Sequence, residues 1–267
     1  MKHLAKKYFG QNFLIDQGIM NSLIDAINPQ ADDLMVEIGP GLGAMTKPLM
    51  QKLNCLHVVE IDRDICAFML KDYAKQCADN SLKIHNIDAL KYDFTSLGNQ
   101  LRIVGNLPYN ISTPILFWLL EGVKSGDNAI IDMHFMLQKE VVERMVATPS
   151  TPAYGRLSVM LQYYLQMEYL ITVPPESFDP APKVESAFVH CVPHATLPFV
   201  ADDTALFAKV VLAAFGQRRK TIRNTLKDYL SDDDFEQLKI SSQLRAENLS
   251  VNNYVQISNY YSKNNKQ

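Results

Sequence analysis

The chain has 267 residues, of which 47% are hydrophobic and 21% charged, and its formal net charge is −3. This balance is typical of a globular protein that fills its core without disulfides, and no apolar run reaches the roughly 18 residues that a membrane span needs. The basic N-terminus lacks the apolar stretch of a secretory signal. The four cysteines form no CxxC pair. We therefore predict reduced thiols, no metal site, no membrane contact and a cytoplasmic location.

Short apolar segments alternate with helix-type segments over the first two-thirds of the chain. The predicted strands cover residues 34–38, 55–61, 82–87, 101–105, 129–137, 161–170 and 184–192. The predicted helices between them cover residues 19–27, 46–53, 64–75, 113–120 and 139–146. Strands that alternate with helices predict βαβ units and a parallel sheet with helices on both faces. The sequence therefore predicts an α/β fold built on a Rossmann-like sheet.

The character of the chain changes after residue 192. Residues 193–198 are typical of a linker, and the segment that follows is poor in strand signals. Apolar residues recur there at helical spacing, first at 206, 210 and 214 and then at Ile222 and Leu226. We predict an α/β domain at 1–192 and a small C-terminal helical domain at 193–267.

Basic residues are concentrated in two places although the net charge is negative. The first fifteen residues contain three lysines and no acid, and the stretch from 216 to 227 also has no acid but contains Arg218, Arg219, Lys220, Arg223 and Lys227. The last three of these have the i, i+3, i+7 spacing of one helix face. A cluster of one sign indicates contact with phosphate, so we predict RNA binding here. The alternative is a solvated helix face.

A glycine-rich loop follows the first predicted strand. Gly39, Gly41 and Gly43 let the backbone turn sharply and approach a ligand closely. Glu60 ends the second strand, where an acid commonly binds a ribose diol, and Asp88 follows the third, where it can accept from an adenine amino group. Dinucleotide enzymes more often carry GxGxxG, whereas the ExGxGxG pattern here is that of Rossmann-like methyltransferases. The first domain is therefore predicted to bind S-adenosyl-L-methionine.

The fourth predicted strand is followed by Asn106, Leu107, Pro108 and Tyr109. An exocyclic amine is hard to methylate because its lone pair is delocalised into the ring. An Asn side-chain oxygen and a backbone carbonyl can accept the amine hydrogens and favour a pyramidal nitrogen. Pro108 fixes the local chain, and Tyr109 offers a face on which an extruded base can stack. Such a site aligns the nitrogen for in-line displacement and needs no covalent nucleophile.

Seven segments together make the chain resemble the small-subunit (16S) ribosomal RNA adenine dimethyltransferases, the kasugamycin-sensitivity family. The resemblance runs over nearly the whole length and rests on residues 9–14, 39–43, 106–114, 136–141, 154–158, 178–184 and 217–221.

This resemblance implies a role for individual residues. Asn12 and Leu14 would close over the cofactor, Gly39 would lie against it, Glu60 would hold its ribose and Asp88 its adenine. The same resemblance implies that Asn106 serves both the cofactor and the target amine. Tyr109 would stack on the target adenine, with Phe178 as a second aromatic wall.

The family's activity is the dimethylation of two adjacent adenosines in a hairpin loop near the 3′ end of small-subunit rRNA, within ribosome biogenesis. The resemblance also implies a preassembled small ribosomal subunit as substrate, and a C-terminal domain that docks on RNA. DNA is not expected as a substrate, because DNA adenine methyltransferases usually have a proline where Leu107 stands. We expect a monomer.

Two alternatives remain open at this point. The first is an enzyme that methylates large-subunit rRNA, which the segments 9–14 and 217–221 disfavour. The second is a ribosome-assembly factor whose binding matters more than its catalysis. The complete segments at 39–43 and 106–109 favour catalysis over this second alternative.

Overall fold

The computed structural model describes residues 12–108, 111–124 and 130–264. The chain divides into two compact units, one of Met1–Val142 and Glu168–Pro193 and the other of Glu143–Met167 and His194–Gln267. The boundary between Pro193 and His194 lies one residue after the predicted domain boundary at 192/193. The division differs from the predicted domains in giving Glu143–Met167 to the second unit. No helix of the described residues is long and apolar enough to cross a membrane.

The strands are short and begin with a two-residue segment near the N-terminus. In chain order they are β1 (Phe13–Leu14), β2 (Met35–Ile38), β3 (Leu56–Glu60), β4 (Leu82–Asn86), β5 (Leu101–Asn106), β6 (Ile130–Gln138), β7 (Leu165–Val173), β8 (Phe178–Asp179) and β9 (Ser186–Pro193). Strands β2 to β6 and β9 confirm the strands predicted for those regions to within a few residues. Strands β1 and β8 were not predicted.

A seven-stranded sheet has the order β4-β3-β2-β5-β6-β9-β7. Strands β2 to β6 are parallel to their neighbours, and β9 is antiparallel to β6. Every residue of β2 and β3 is buried, as expected of strands covered on both faces. This architecture confirms the predicted Rossmann-like α/β fold.

The helices are α1 (Gln17–Ile27), α2 (Thr46–Met50), α3 (Arg63–Asp72), α4 (Ala74–Ala78), α5 (Ser112–Lys124), α6 (Lys139–Val146), α7 (Arg156–Gln162), α8 (Thr204–Ala214), α9 (Ile222–Thr225), α10 (Asp232–Leu238) and α11 (Val251–Asn264). The helix predicted at 64–75 divides into α3 and α4. Helix α3 begins where the Asp62 side chain accepts a hydrogen bond from the Asp64 amide, the N-cap that an Asp at this position favours.

The strand predicted at 161–170 is wrong in its first part. Helix α7 runs through Gln162, and β7 begins only at Leu165. An apolar run of this length fits a buried helix as well as a buried strand. The helix is stabilised here because the Ser158 hydroxyl lies at its first turn and accepts from the Gly155 amide.

The second unit packs around aromatic residues. The ring centroids of Tyr163 and Phe207 are 4.6 Å apart, and the Tyr154 hydroxyl donates to the Leu249 carbonyl at 3.0 Å. These contacts join the segment Glu143–Met167 to the C-terminal helices, which is why the unit includes it. Helix α8 confirms the helix predicted from the apolar residues at 206, 210 and 214.

Strands β2 and β5 lie side by side where the sheet changes its direction of winding. A Cβ atom on Gly105 would lie 2.7 Å from the Ile38 carbonyl oxygen, so only glycine permits this approach. From β2 the chain proceeds to β3 on one side, and β5 lies on the other. A crevice opens at such a switch point, outside the carboxyl ends of the strands.

Strands β1 and β8 form a separate two-stranded ribbon. They are antiparallel, with Leu14 opposite Phe178 and Phe13 opposite Asp179. The Ile15 amide also donates to the Ser177 carbonyl at 2.8 Å. The ribbon holds the segment at Asn12–Leu14 in a defined position.

Candidate active site

A cavity of about 370 Å³ lies at the carboxyl ends of the parallel strands. Its volume falls within the range of small-molecule sites. Residues from β1, the glycine loop and the ends of β3, β4 and β5 line it, and they include Asn12, Phe13, Leu14, Glu37, Gly39, Gly41, Glu60, Ile61, Ile87, Asp88, Asn106, Leu107 and Pro108. The structure therefore brings together all six of the predicted cofactor-binding residues.

The glycine loop turns in a conformation that side chains disfavour. Gly39, Gly41 and Gly43 have φ angles of 67°, 55° and 85°. A Cβ atom on Gly41 would lie 3.1 Å from the Phe13 ring. Glycine at this position thus lets the N-terminal segment pack directly against the loop.

Two carboxylates lie at neighbouring strand ends. Glu60 is buried at the end of β3, where its side chain accepts from the Asp62 amide at 2.8 Å. Burial raises the pKa of Glu60, and the hydrogen bond from Asp62 opposes that change. Asp88 follows β4 and accepts from the Leu90 amide at 3.0 Å. Both side chains retain oxygens that can accept hydrogen bonds from a ligand.

Apolar side chains lie next to these two carboxylates. Ile61 and Ile87 both line the cavity, and 47% and 36% of their surfaces are exposed. Each follows directly on the strand that carries the acid. The cavity therefore offers an apolar surface beside hydrogen-bond acceptors, which suits a flat, polar-edged ring such as a purine.

Asn106 ends β5, and its side chain contacts the N-terminal segment. Its Nδ2 donates to the Asn12 carbonyl at 3.1 Å. This hydrogen bond fixes the orientation of the side-chain amide and leaves Oδ1 to accept from an amine. Leu107, the next residue, is held by β6, because its amide donates to the Met136 carbonyl at 3.2 Å.

The structure describes only one of the two aromatic residues predicted to hold the target base. Tyr109 lies outside the described residues. Phe178 is only 4% exposed and belongs to the hydrophobic core. It is not among the described residues that line the cavity. The structure thus places Phe178 opposite Leu14 in the two-stranded ribbon and not at the cavity surface.

Glu37 is the acid of the ExGxGxG pattern, but the sequence analysis assigned it no individual role. It lines the cavity and is 2% exposed, and it accepts from the Thr46 hydroxyl at 2.6 Å. Burial raises its pKa to about 7, although the hydrogen bond from Thr46 acts in the opposite direction. A carboxyl group within an otherwise apolar strand was the available signal, because such a group is rarely buried without a function.

The basic cluster at 218–223 lies in the second unit. Arg218, Arg219, Lys220 and Arg223 are all exposed. An Arg218 guanidinium nitrogen donates to the Pro152 carbonyl at 3.2 Å, and Arg223 forms an ion pair with Asp232. The shared helix face predicted for 220, 223 and 227 is wrong, because α9 has only four residues and the other two positions lie outside it.

Two solved structures define the class of fold. A dimethyladenosine transferase from Plasmodium falciparum has a TM-score of 0.76 at 23% identity and covers 92% of this chain and 95% of its own. The 23S rRNA methyltransferase ErmE has a TM-score of 0.71 at 20% identity and covers 94% and 100%. At these identities the likeness concerns the fold alone, which is that of Rossmann-like methyltransferases.

Sequence comparisons define the family. The family model described as Ribosomal RNA adenine dimethylase matches residues 2–263. A Ribosomal RNA small subunit methyltransferase A from Methylobacillus flagellatus is 64% identical over 97% of this chain and 99% of its own. The protein of the same name from Nitrosospira multiformis is 54% identical over 98% of both. The chain belongs to the ribosomal RNA adenine dimethylase family and is a methyltransferase, as the resemblance implied.

The buried carboxyl group of Glu37 predicts a pH-dependent stability. Its pKa is about 7 in the folded protein against an ordinary value of 4.5, so the folded state binds the proton more tightly. This stabilisation is complete below the unfolded pKa and is lost as the pH rises through the folded one. We therefore expect the free energy of unfolding of the wild type, relative to that of Glu37→Gln, to fall by up to about 3 kcal/mol as the pH rises from 4.5 to above about 7.

Urea denaturation of the ligand-free protein at about pH 5 and about pH 8 would measure this difference. Glu168→Gln is the matched control, because Glu168 is exposed on β7. Parallel pH profiles for the wild type and Glu37→Gln would contradict the prediction.

Proposed function

We propose that this protein uses S-adenosyl-L-methionine to dimethylate two adjacent adenosines in a 3′-terminal hairpin loop of small-subunit rRNA. The observation that carries the proposal is the cavity in which Gly39, Glu60, Asp88 and Asn106 meet at the ends of four neighbouring parallel strands. The two relatives that are small-subunit methyltransferases by name support the choice of rRNA subunit.

The donor groups of the cavity fit this cofactor. Glu60 would accept from both ribose hydroxyls, and Asp88 would accept from the adenine amino group. Ile61 and Ile87 would cover the faces of the adenine ring. The turn at Gly39 would let the backbone approach the methionine part without a side chain between them. When bound, S-adenosyl-L-methionine supplies an electrophilic methyl group on a sulfonium.

The protein's own contribution to the transfer is to orient the amine. Asn106 Oδ1 and the Leu107 carbonyl would accept the two amine hydrogens, which directs the nitrogen lone pair away from the ring. The hydrogen bond from Asn106 Nδ2 to Asn12 keeps Oδ1 on the acceptor side. Pro108 restricts the backbone that carries this carbonyl. Proximity and alignment then supply most of the rate without a covalent intermediate.

We assign the stacking of the extruded adenine to Tyr109, which follows the acceptor pair directly. Phe178 is buried and lies opposite Leu14 in the two-stranded ribbon, so we assign it to the support of the N-terminal segment. The ribbon would thereby keep Asn12 and Leu14 over the cofactor.

The experiment that tests the proposed function maps the modified nucleotides. Purified protein would be incubated with undermethylated small subunits, or with large subunits, and labelled cofactor. We expect four methyl groups on two adjacent adenosines of the small-subunit rRNA, and no transfer by Asn106→Ala, which loses the amine acceptor. Label on large-subunit rRNA, or an Asn106→Ala variant as active as the wild type, would contradict the proposal.

The stacking role of Tyr109 predicts a difference between two substitutions. Base–aromatic stacking contributes about 1–3 kcal/mol per base, so Tyr109→Ala should slow transfer roughly ten- to a hundred-fold. Tyr109→Phe keeps the ring face and should slow it much less. Single-turnover assays on undermethylated subunits measure both rates. Equal losses would show that the hydroxyl group matters and not the ring.

We further propose that the second unit docks on RNA within a preassembled small subunit, and that the enzyme acts as a cytoplasmic monomer. The exposed positive side chains of Arg218, Arg219 and Lys220 support this role. Arg223 contributes less than these three, because Asp232 compensates its charge. Local charge of this kind explains how a chain of net charge −3 can bind a polyanion.

Reversal of Arg218, Arg219 and Lys220 to Glu tests this docking surface. Loss of three phosphate contacts should weaken binding to small subunits roughly tenfold or more and lower the salt slope by about 3. Cofactor affinity should stay unchanged. The control reverses three exposed lysines of the first unit, Lys71, Lys75 and Lys83. If both triple variants bind with equal strength and equal salt dependence, the cluster is only a solvated surface.

A further inference from the structure

Three side chains with metal-binding atoms converge on one face of the sheet in the first unit. Asp132 and His134 are two residues apart on β6, so their side chains point to the same face. His190 on β9 lies directly opposite His134 in the antiparallel register. None of the three is among the described residues that line the cavity. The cluster is therefore separate from the proposed site of methyl transfer.

The distances within this cluster are close to those of a metal site. Asp132 Oδ2 lies 3.9 Å from His134 Nδ1 and 3.7 Å from His190 Nε2. Three ligand atoms, one from each residue, all lie within 4.8 Å of one another. Ligand atoms around a tetrahedral zinc ion are about 3.4 Å apart. The two distances from Asp132 exceed this separation by only a few tenths of an ångström.

The two imidazole nitrogens that face Asp132 are buried without a hydrogen-bond partner among the described residues. At 3.7 Å and 3.9 Å the contacts to Asp132 are too long for hydrogen bonds. An imidazole nitrogen of a neutral ring that carries no proton has a lone pair and can bind a metal ion. Buried polar atoms without partners are rare in native proteins, and a bound cation would satisfy both at once.

The charges around the cluster are compatible with a cation. Arg102 lies between two carboxylates, with a guanidinium nitrogen 2.7 Å from Asp132 Oδ2 and another 2.6 Å from Asp33. The two carboxylates and the one guanidinium together carry one excess negative charge. Arg102 Nε also donates to Asp132 Oδ1 at 3.0 Å. Such an outer partner holds a ligating carboxylate in a fixed orientation.

We propose that Asp132, His134 and His190 bind a divalent transition metal ion of the zinc type and so join β6 to β9. Two imidazole nitrogens and one carboxylate oxygen are ligands that zinc accepts, with water as the fourth. The two rings are stacked at 12° with centroids 4.3 Å apart. Because an imidazole lone pair lies in the ring plane, the rings turn about their Cβ–Cγ bonds when they bind one ion.

Titration of the metal-free, tag-free protein with Zn²⁺ tests this proposal. We expect one ion per chain, a higher Tm with zinc, and an affinity at least a hundredfold lower for His190→Gln. His85→Gln is the matched control, since His85 is also stacked on a second histidine, His57, with ring nitrogens 3.1 Å apart. A folded His190→Gln variant that binds zinc as the wild type does would overturn the proposal.

Substitution with Co²⁺ supplies a readout that needs no variant. Nitrogen and oxygen ligands in tetrahedral geometry give a visible absorption band without the near-ultraviolet band of a cobalt–thiolate bond. Binding through a cysteine, such as the neighbouring buried Cys191, would show that thiolate band and overturn the assignment. Absence of any binding at about 0.1 mM of either metal would overturn it as well.

Discussion

The backbones of β2 and β5 approach so closely at Ile38 and Gly105 that a side chain on Gly105 would meet the Ile38 carbonyl oxygen at 2.7 Å. This approach brings the turn at Gly39 next to the end of β5, where Asn106 begins the segment to which we assign the binding of the amine. In the proposed reaction the cofactor and the target would therefore meet across a single pair of strands. Methyl transfer needs the donor and acceptor atoms in line within a few ångströms, and this strand pair sets that separation.

Much of this arrangement could be predicted from the sequence, because the positions of strand ends are local information. Glu60, Asp88 and Asn106 each stand at the end of an apolar segment, and the carboxyl ends of parallel strands meet at one edge of a sheet. The segment at 161–170 was predicted wrongly because its apolar run has no clear period, and packing against Phe207 decides its structure. The length of α9 was overestimated for a related reason. Two apolar residues at helical spacing do not determine where a helix ends.

The rest depended on contacts between residues far apart in the chain. Nothing in the local sequence places Leu14 opposite Phe178, so the burial of Phe178 could not be predicted. Likewise, Asp132 and His134 are two residues apart in the sequence, but only the register of β6 and β9 brings His190 beside them. Glu37 was part of the ExGxGxG pattern, but the shift in its pKa arises from complete burial, which a motif does not report.

The partner of the Asn106 side chain is a main-chain oxygen, the carbonyl of Asn12. Every amino acid carries that oxygen, so point substitutions at position 12 leave the acceptor itself in the chain. An insertion between Asn12 and β1 would instead move the carbonyl along the chain by about 3.3 Å per residue. Side-chain substitutions at position 12 should therefore disturb the orientation of the Asn106 amide less than a change of chain length at this point.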